Sequence, residues 1–250
     1  MLLTDPTAQL VIAHRGASHR APENTLEAFQ CAIDDGADAL ELDVHLSRDG
    51  VPVVIHDPSL DRTTDRTGTI STLTWAEIQH ANAGARHTDG TWAARQVRVP
   101  SLADVLDAVR DLPLLIEIKA VAAQWAVADL VTRLRATDRV VVAAFEHRAL
   151  EVFREGPIAV GASRRDIAWL TLRARTRLPV SLPHVACFAV PDQWHGLEIP
   201  TPRAVNLARR HAAPVHVWTV DDPGRALQLW RRGVSGIITN RPHAMHELRQ

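Results

Sequence analysis

Leu40-Glu41-Leu42-Asp43-Val44-His45-Leu46-Ser47-Arg48-Asp49-Gly50-Val51-Pro52-Val53-Val54-Ile55-His56 is the stretch on which the fold turns. Side chains alternate along a strand, so Glu41 and Asp43 share one face about 7 Å apart, while Leu40, Leu42 and Val44 share the other. Two carboxylates thus stand on one surface of a strand whose opposite surface is apolar. Asp49-Gly50 predicts a two-residue hairpin loop, since both positions tolerate the positive φ of a tight turn. Counting back from that loop sets Arg48 against Val51, Leu46 against Val53 and Asp43 against His56. An imidazole is then expected beside two acids.

Outward from this stretch, strands and helices alternate. Gln9 to Ala13 reads as a buried strand that empties into His14-Arg15-Gly16. Asn24 is placed to cap the following helix, whose apolar face is Leu26, Phe29 and Ile33 and which Gly36 ends. Residues 57–99 lose the periodicity, with only Leu73 to Ile78 locally helical behind Thr74, and read as a lid-like insertion folded over the site. Ser101 then caps a helix. Strands over Pro113 to Lys119, Val140 to Phe145, Ile158 to Ala162, Val185 to Val190, Pro214 to Val220 and Gly236 to Thr239 follow. Between and after them lie helices over Trp125 to Ala136, His147 to Glu155, Asp166 to Arg177, Pro202 to His211, Pro223 to Arg232 and His243 to Leu248. With the returning arm of the hairpin left out, eight strand–helix pairs in 250 residues predict one (β/α)8 TIM barrel over residues 1–250. An open doubly wound sheet is the alternative, and the first turn lacks its Gly-x-Gly-x-x-Gly fingerprint.

Composition narrows the partners. The chain carries 28 basic and 29 acidic residues, a net charge of -1, with no basic block to track a phosphate backbone, which argues against nucleic acid. No apolar run is long enough for stable membrane insertion, and Thr4, Asp5 and Pro6 interrupt the N-terminal segment. Cys31 and Cys187 lie far apart without metal-ligand spacing and read as two buried free thiols, suited to the cytoplasm. Of the 28 basic residues only Lys119 is a lysine. An ammonium group kept at one place in an arginine-rich chain points to a task that a guanidinium does not perform.

In a barrel, functional residues collect where strands end. His14, Arg15, Asp43, Lys119 and Trp218 are expected there. Leu115, Glu117 and Lys119 alternate inward against Ile116 and Ile118, so Glu41, Asp43 and Glu117 face one mouth. Three converging carboxylates repel one another, and a divalent cation relieves them. All-oxygen ligands favour Mg2+ or Ca2+. The competing reading pairs the acids with Arg15 and Lys119 in a structural network. His14 and His56 suit an acid and a base on opposite sides of a scissile bond. Arg15 fits a bidentate grip on a phosphoryl oxygen, with Lys119 as a point charge beside it. Trp218 either packs the apolar part of a substrate or caps the barrel. Phe145 reads as packing, and His19 and His45 as surface or supporting residues.

His14-Arg15-Gly16-Ala17, Ala21-Pro22-Glu23-Asn24-Thr25, Glu41-Leu42-Asp43-Val44, Asp49-Gly50, His56-Asp57, Leu60-Asp61-Arg62-Thr63-Thr64, Pro100-Ser101-Leu102, Ile116-Glu117-Ile118-Lys119, Trp218-Thr219-Val220 and Gly236-Ile237-Ile238-Thr239 occur in that order. Together they resemble the glycerophosphodiester phosphodiesterase family. The resemblance implies a (β/α)8 barrel with an insertion after the second strand, and metal-dependent hydrolysis of glycerophosphodiesters to glycerol 3-phosphate and an alcohol. It implies that Glu41, Asp43 and Glu117 hold the cation, that His14 and His56 are the acid-base pair, and that Arg15 and Lys119 bind phosphate. Glu23 falls in the first motif as a site candidate.

Three positions depart from the common pattern. Asp221 stands where asparagine is frequent, Ala143-Ala144 where serine is frequent, and Asn240 where aspartate is frequent. They are expected to touch neither the metal nor the histidine positions, and to bear on the alcohol side of the substrate. Two alternatives stay open. One is cleavage of lysophospholipids, which needs an apolar track that Leu73, Trp75, Ile78 and Trp92 of the insertion supply only modestly. The other is a non-catalytic phosphodiester-binding barrel. The sequence leaves the oligomeric state open.

Overall fold

The apolar runs become eight parallel strands. The computed structural model describes residues 1–176, 184–194 and 196–249. The strands are β1 (Leu10–His14), β2 (Ala39–Leu46), β3 (Pro52–Val54), β4 (Leu114–Ile118), β5 (Val140–Ala143), β6 (Ala159–Val160), β7 (Phe188–Pro191), a small hairpin β8 (Gln193–Trp194) and β9 (Leu197–Glu198), then β10 (Val215–Trp218) and β11 (Gly236–Thr239). The main sheet runs β6-β5-β4-β2-β1-β11-β10-β7, with all of these neighbours parallel. At its ends the Ala186 N–H donates to the Val160 carbonyl at 2.7 Å and the Ala162 N–H to that of Cys187 at 2.9 Å, which closes the curl. The result is the TIM-barrel arrangement that the alternating pattern predicts.

Helices α1 (Leu26–Asp34), α2 (Trp75–Ile78), α3 (Leu102–Ala108), α4 (Gln124–Arg133), α5 (Arg164–Thr176), α6 (Pro202–Arg210), α7 (Pro223–Arg231) and α8 (Pro242–Glu247) connect the strands. Arg177, the expected last residue of the helix from Asp166, lies outside the described residues. Leu40, Leu42 and Val44 pack outward with Ile116, Ile118 and Val142 against the helices, and Leu10, Ile12, Leu115, Val141 and Ile238 fill the barrel. Among the described residues no helix is long and apolar enough to cross a membrane.

Four local expectations are corrected. The hairpin loop has three residues, not two. Gly50 adopts φ +84°, Ser47 and Val51 close the loop (Ser47 N–H to Val51 carbonyl, 3.0 Å), and a positive-φ glycine at the third position makes such a loop. Pairing is therefore His45 with Val53 and Val44 with Val54, one residue off the predicted register. Asn24 is not the cap of α1, because it sits at φ 58° and Thr25 accepts the Ala28 N–H instead. The helix expected over His147 to Glu155 is a 3-10 run, His147–Phe153, whose larger rise per residue spans the barrel height with fewer residues. Cys187 is buried, whereas Cys31 is only partly so.

Candidate active site

β2 places Glu41 and Asp43, two residues apart, on the inner face, and β4 places Glu117 beside Asp43 in register. Lys119 follows one step beyond β4, its N–H held by the Val44 carbonyl at 2.9 Å. β1 ends in His14, after which Arg15 turns with φ 56°. That turn brings the Arg15 N–H to the Glu41 carbonyl (2.9 Å) and to Glu41 Oε2 (3.1 Å). His14, Arg15, Glu41, His56, Glu117, Lys119 and Trp218 line one cavity of about 120 Å³ at this end of the barrel. Asp43 is buried behind this lining, 1% exposed, in contact with Arg15 and Lys119. Glu23 stands behind Arg15, ion-paired to it at 2.9 Å.

His56 does not arrive by strand pairing. β3 ends at Val54, the Ile55 N–H donates to the Asp43 carbonyl at 3.0 Å, and His45 Nε2 holds the His56 carbonyl at 3.0 Å. His45 shares the inner face of β2 with Asp43, and burial keeps its imidazole below its usual pKa. The histidine read as a surface or supporting residue is thus the backbone anchor of His56. The His56 side chain is turned by Asp57, whose carboxylate lies 2.6 Å from Nδ1.

The acids are partly compensated. Lys119 Nζ lies 3.0 Å from Asp43 Oδ1 and 2.8 Å from Glu117 Oε1. Arg15 Nε lies 3.0 Å from Asp43 Oδ2. Asn24 Nδ2 donates to that same oxygen at 2.9 Å, so the residue read as a helix cap clamps Asp43. Burial is the largest influence on Asp43 and opposes its charge, yet Lys119, Arg15, His56 and Asn24 together keep its pKa below the ordinary value. Glu41 goes the other way. Burial, then Asp43 and Glu117, raise it well above the carboxylate range. Burial raises Glu117 too, against the attraction of Lys119. Lys119 itself stays protonated, burial being outweighed by Asp43 and Glu117.

Two cations, Lys119 and Arg15, face three carboxylates, and the raised pKa values of Glu41 and Glu117 mark the burial and mutual repulsion that these cations do not offset. One ligand atom from each of Glu41, Asp43 and Glu117 lies within 4.8 Å of the others. Glu117 Oε1 is buried without a well-directed hydrogen bond, although Lys119 is near. Two buried carboxylates and one partly buried one, all offering oxygen, fit a hard divalent cation.

Several residues that reach the site went unassigned or misassigned in the sequence. Asn240 was expected not to touch the histidines, but its Oδ1 lies 2.8 Å from His14 Nδ1. Asp221 secures Asn240 through both its backbone N–H (2.8 Å) and Nδ2 (2.7 Å). The available signal was a polar side chain immediately after the apolar strand Ile237-Ile238-Thr239, at the mouth. Phe145, expected to be packing, is 42% exposed. It lines the cavity and meets Trp218 edge to face at 5.8 Å. Arg62 bonds Glu23 at 2.9 and 2.8 Å and pairs with Asp57 at 2.5 Å, tying the insertion to both the Arg15 and the His56 sides.

Comparison with known proteins gives a consistent result. Residues 14–244 match the family model described as the glycerophosphoryl diester phosphodiesterase family. A glycerophosphodiester phosphodiesterase of Caldanaerobacter subterraneus is 30% identical over 96% of this chain and 97% of its own. A solved glycerophosphoryl diester phosphodiesterase domain from Mycobacterium tuberculosis superposes with a TM-score of 0.87 at 22% identity, covering 97% of this chain and all of that one. The structure of an Oleispira antarctica phosphodiesterase in complex with the product sn-glycerol-3-phosphate aligns over 97% of both chains, with a TM-score of 0.81 and 25% identity.

Proposed function

The chain belongs to the glycerophosphoryl diester phosphodiesterase family, and from that membership we propose that it hydrolyses glycerophosphodiesters to glycerol 3-phosphate and an alcohol. His14 and His56 move the protons, and Glu41, Asp43 and Glu117 hold a divalent cation. The observation that supports this reading is the meeting of both histidines with a three-carboxylate cluster at one cavity. The product bound to the Oleispira phosphodiesterase, sn-glycerol-3-phosphate, is the product this reaction releases.

Mg2+ or Ca2+ bound at the carboxylates supplies Lewis acidity, neutralising phosphoryl charge and making a nearby hydroxyl more acidic. Arg15 and Lys119 hold the phosphoryl oxygens. Asn240 gives its amide N–H2 to Asp221, so its oxygen faces His14 Nδ1, and the imidazole carries its proton there. His14 Nε2 is then the basic nitrogen, and burial and Arg15 keep the ring neutral by lowering its pKa. We assign His14 to accept the proton of the glycerol 2-hydroxyl as that oxygen attacks phosphorus, and His56 to protonate the departing alcohol oxygen. Water then opens the cyclic phosphate with the two roles exchanged, which restores both protonation states. In the same reading residues 57–99 are part of one catalytic domain, joined to the site by Arg62.

The test is release of glycerol 3-phosphate from glycerophosphocholine by chelator-stripped protein, with Mg2+ or Ca2+ returned and His56→Ala as control. Release that requires the ion and collapses in the variant is expected. Ion-independent release, or full activity in His56→Ala, overturns the assignment.

A further inference from the structure

The insertion does not supply an apolar track, because Ile78 and Trp92 are buried in its own small core with Leu60, Ile70 and Val97. The track lies on the other side of the mouth. A cleft of about 350 Å³ runs along α5 and the β8–β9 hairpin, walled by Ile167, Ala168, Leu172, Pro191, Trp194 and Ile199. It is larger than the catalytic cavity, and Phe145 lines both.

The two are joined by a neck. Its lining includes Glu117, Ala143, Ala144, Ala162, Ala189 and Trp218, with Phe145 at its side. Glu117, Ala143, Ala189 and Trp218 belong to the lining of this neck and Glu117, Phe145 and Trp218 to that of the catalytic cavity. Four alanines and Ile167 line the neck beside Glu117, Arg164 and Trp218, and along the alanines a polymethylene chain meets no side-chain donor or acceptor and loses only water. Arg164, which lines both the neck and the cleft, lays its guanidinium over the Trp194 ring at 5.1 Å and adds aliphatic and aromatic surface to one wall. Leu172 and Trp194 remain 48% and 40% exposed. Apolar surface of this extent, opening directly from a phosphodiester site, marks a ligand groove better than a fold requirement.

We propose that this groove seats a single acyl or alkyl chain carried by the phosphodiester substrate, so that the enzyme prefers diesters with one apolar tail over fully deacylated ones. The proposal rests on the hydrolytic reading above. The chain belongs either to the glycerol, as in a lysophospholipid, or to the alcohol, as in a glycerophosphoalkanol.

Both series, from zero to ten carbons and kept below their micellar concentrations, distinguish the sources. Burying one methylene is worth about 0.8 kcal/mol, roughly a fourfold change. With the groove half open, kcat/KM is expected to rise about two- to fourfold per added carbon in one series and to stay level in the other. Leu172→Asp and Trp194→Ala, both at exposed positions, should flatten that rise while glycerophosphocholine turnover stays within about twofold of wild type. A flat response in both series beside good turnover of glycerophosphocholine refutes the groove and leaves the reaction standing. Variants that slow long and short substrates equally, or that change only adsorption to vesicles, refute it as well. No turnover of any diester refutes the hydrolytic reading itself.

Discussion

Asn240 Oδ1 faces His14 Nδ1 at 2.8 Å, and Asn240 does so because Asp221 holds its amide nitrogen at 2.7 Å. The carboxylate is thus one residue removed from the imidazole. Asn240→Leu frees the ring to rotate and change tautomer, and kcat is expected to fall about 10- to 100-fold with little change in KM. Asn240→Asp alone sets two carboxylates against each other beside His14 and should also be impaired. Asp221→Asn with Asn240→Asp restores one acid and one amide, and the double variant should outperform both single ones. Additive losses in the double variant would show that the two residues do not act through each other.

Lys119 is the single lysine of the chain, and its Nζ spans Asp43 and Glu117 at 3.0 and 2.8 Å. A compact ammonium fits between two carboxylates that a planar guanidinium must push apart. Lys119→Arg keeps the charge and should still lose about 100-fold in kcat/KM, with Lys119→Met losing more. Near-normal activity in Lys119→Arg would reduce Lys119 to a charge balance.

Asp57 turns His56 and is gripped by Arg62. The Arg62 hydrogen bonds are the largest cause that takes the Asp57 carboxyl down to about 2. Its folded pKa is depressed, so the pairing is intact above the ordinary carboxylate range and is lost only as pH falls toward about 2. Asp57 therefore stays ionised from pH 5 to 9, and Asp57→Asn should lose about 10- to 100-fold in kcat throughout that range. Activity of Asp57→Asn within about twofold of wild type would show that the carboxylate does not orient His56.

The barrel was legible because its signal is periodicity. Glu41, Asp43, Glu117 and Lys119 occupy alternate positions of apolar strands, and alternation fixes their face before any contact is known. Asn24, His45 and Asn240 were not legible in the same way. Each acts through directed bonds to a residue outside its own local run, from Asn24 to Asp43, His45 to His56 and Asn240 to His14. No local pattern encodes such a pairing. The hairpin register failed for a smaller reason: Asp-Gly suits both a two-residue loop and the end of a three-residue one, and the choice moves every partner by one.

His216 connects the bottom of the barrel to stability. It is fully buried, its Nε2–H donates to the Leu3 carbonyl at 2.9 Å, and burial pushes its imidazole down to about 4. The unfolded chain protonates near 6.5. Below about pH 6.5 the unfolded state gains a proton that the native state refuses until about pH 4, so native stability is complete above 6.5 and falls across that window. The full loss is about 3 kcal/mol, and between pH 7 and pH 5 it is about 2 kcal/mol. His216→Gln keeps a donor for Leu3 and removes the titration. Urea unfolding at pH 7 and pH 5 should show wild type losing about 2 kcal/mol more than the variant. Equal losses in the two proteins would mean that His216 takes up its proton in the native barrel.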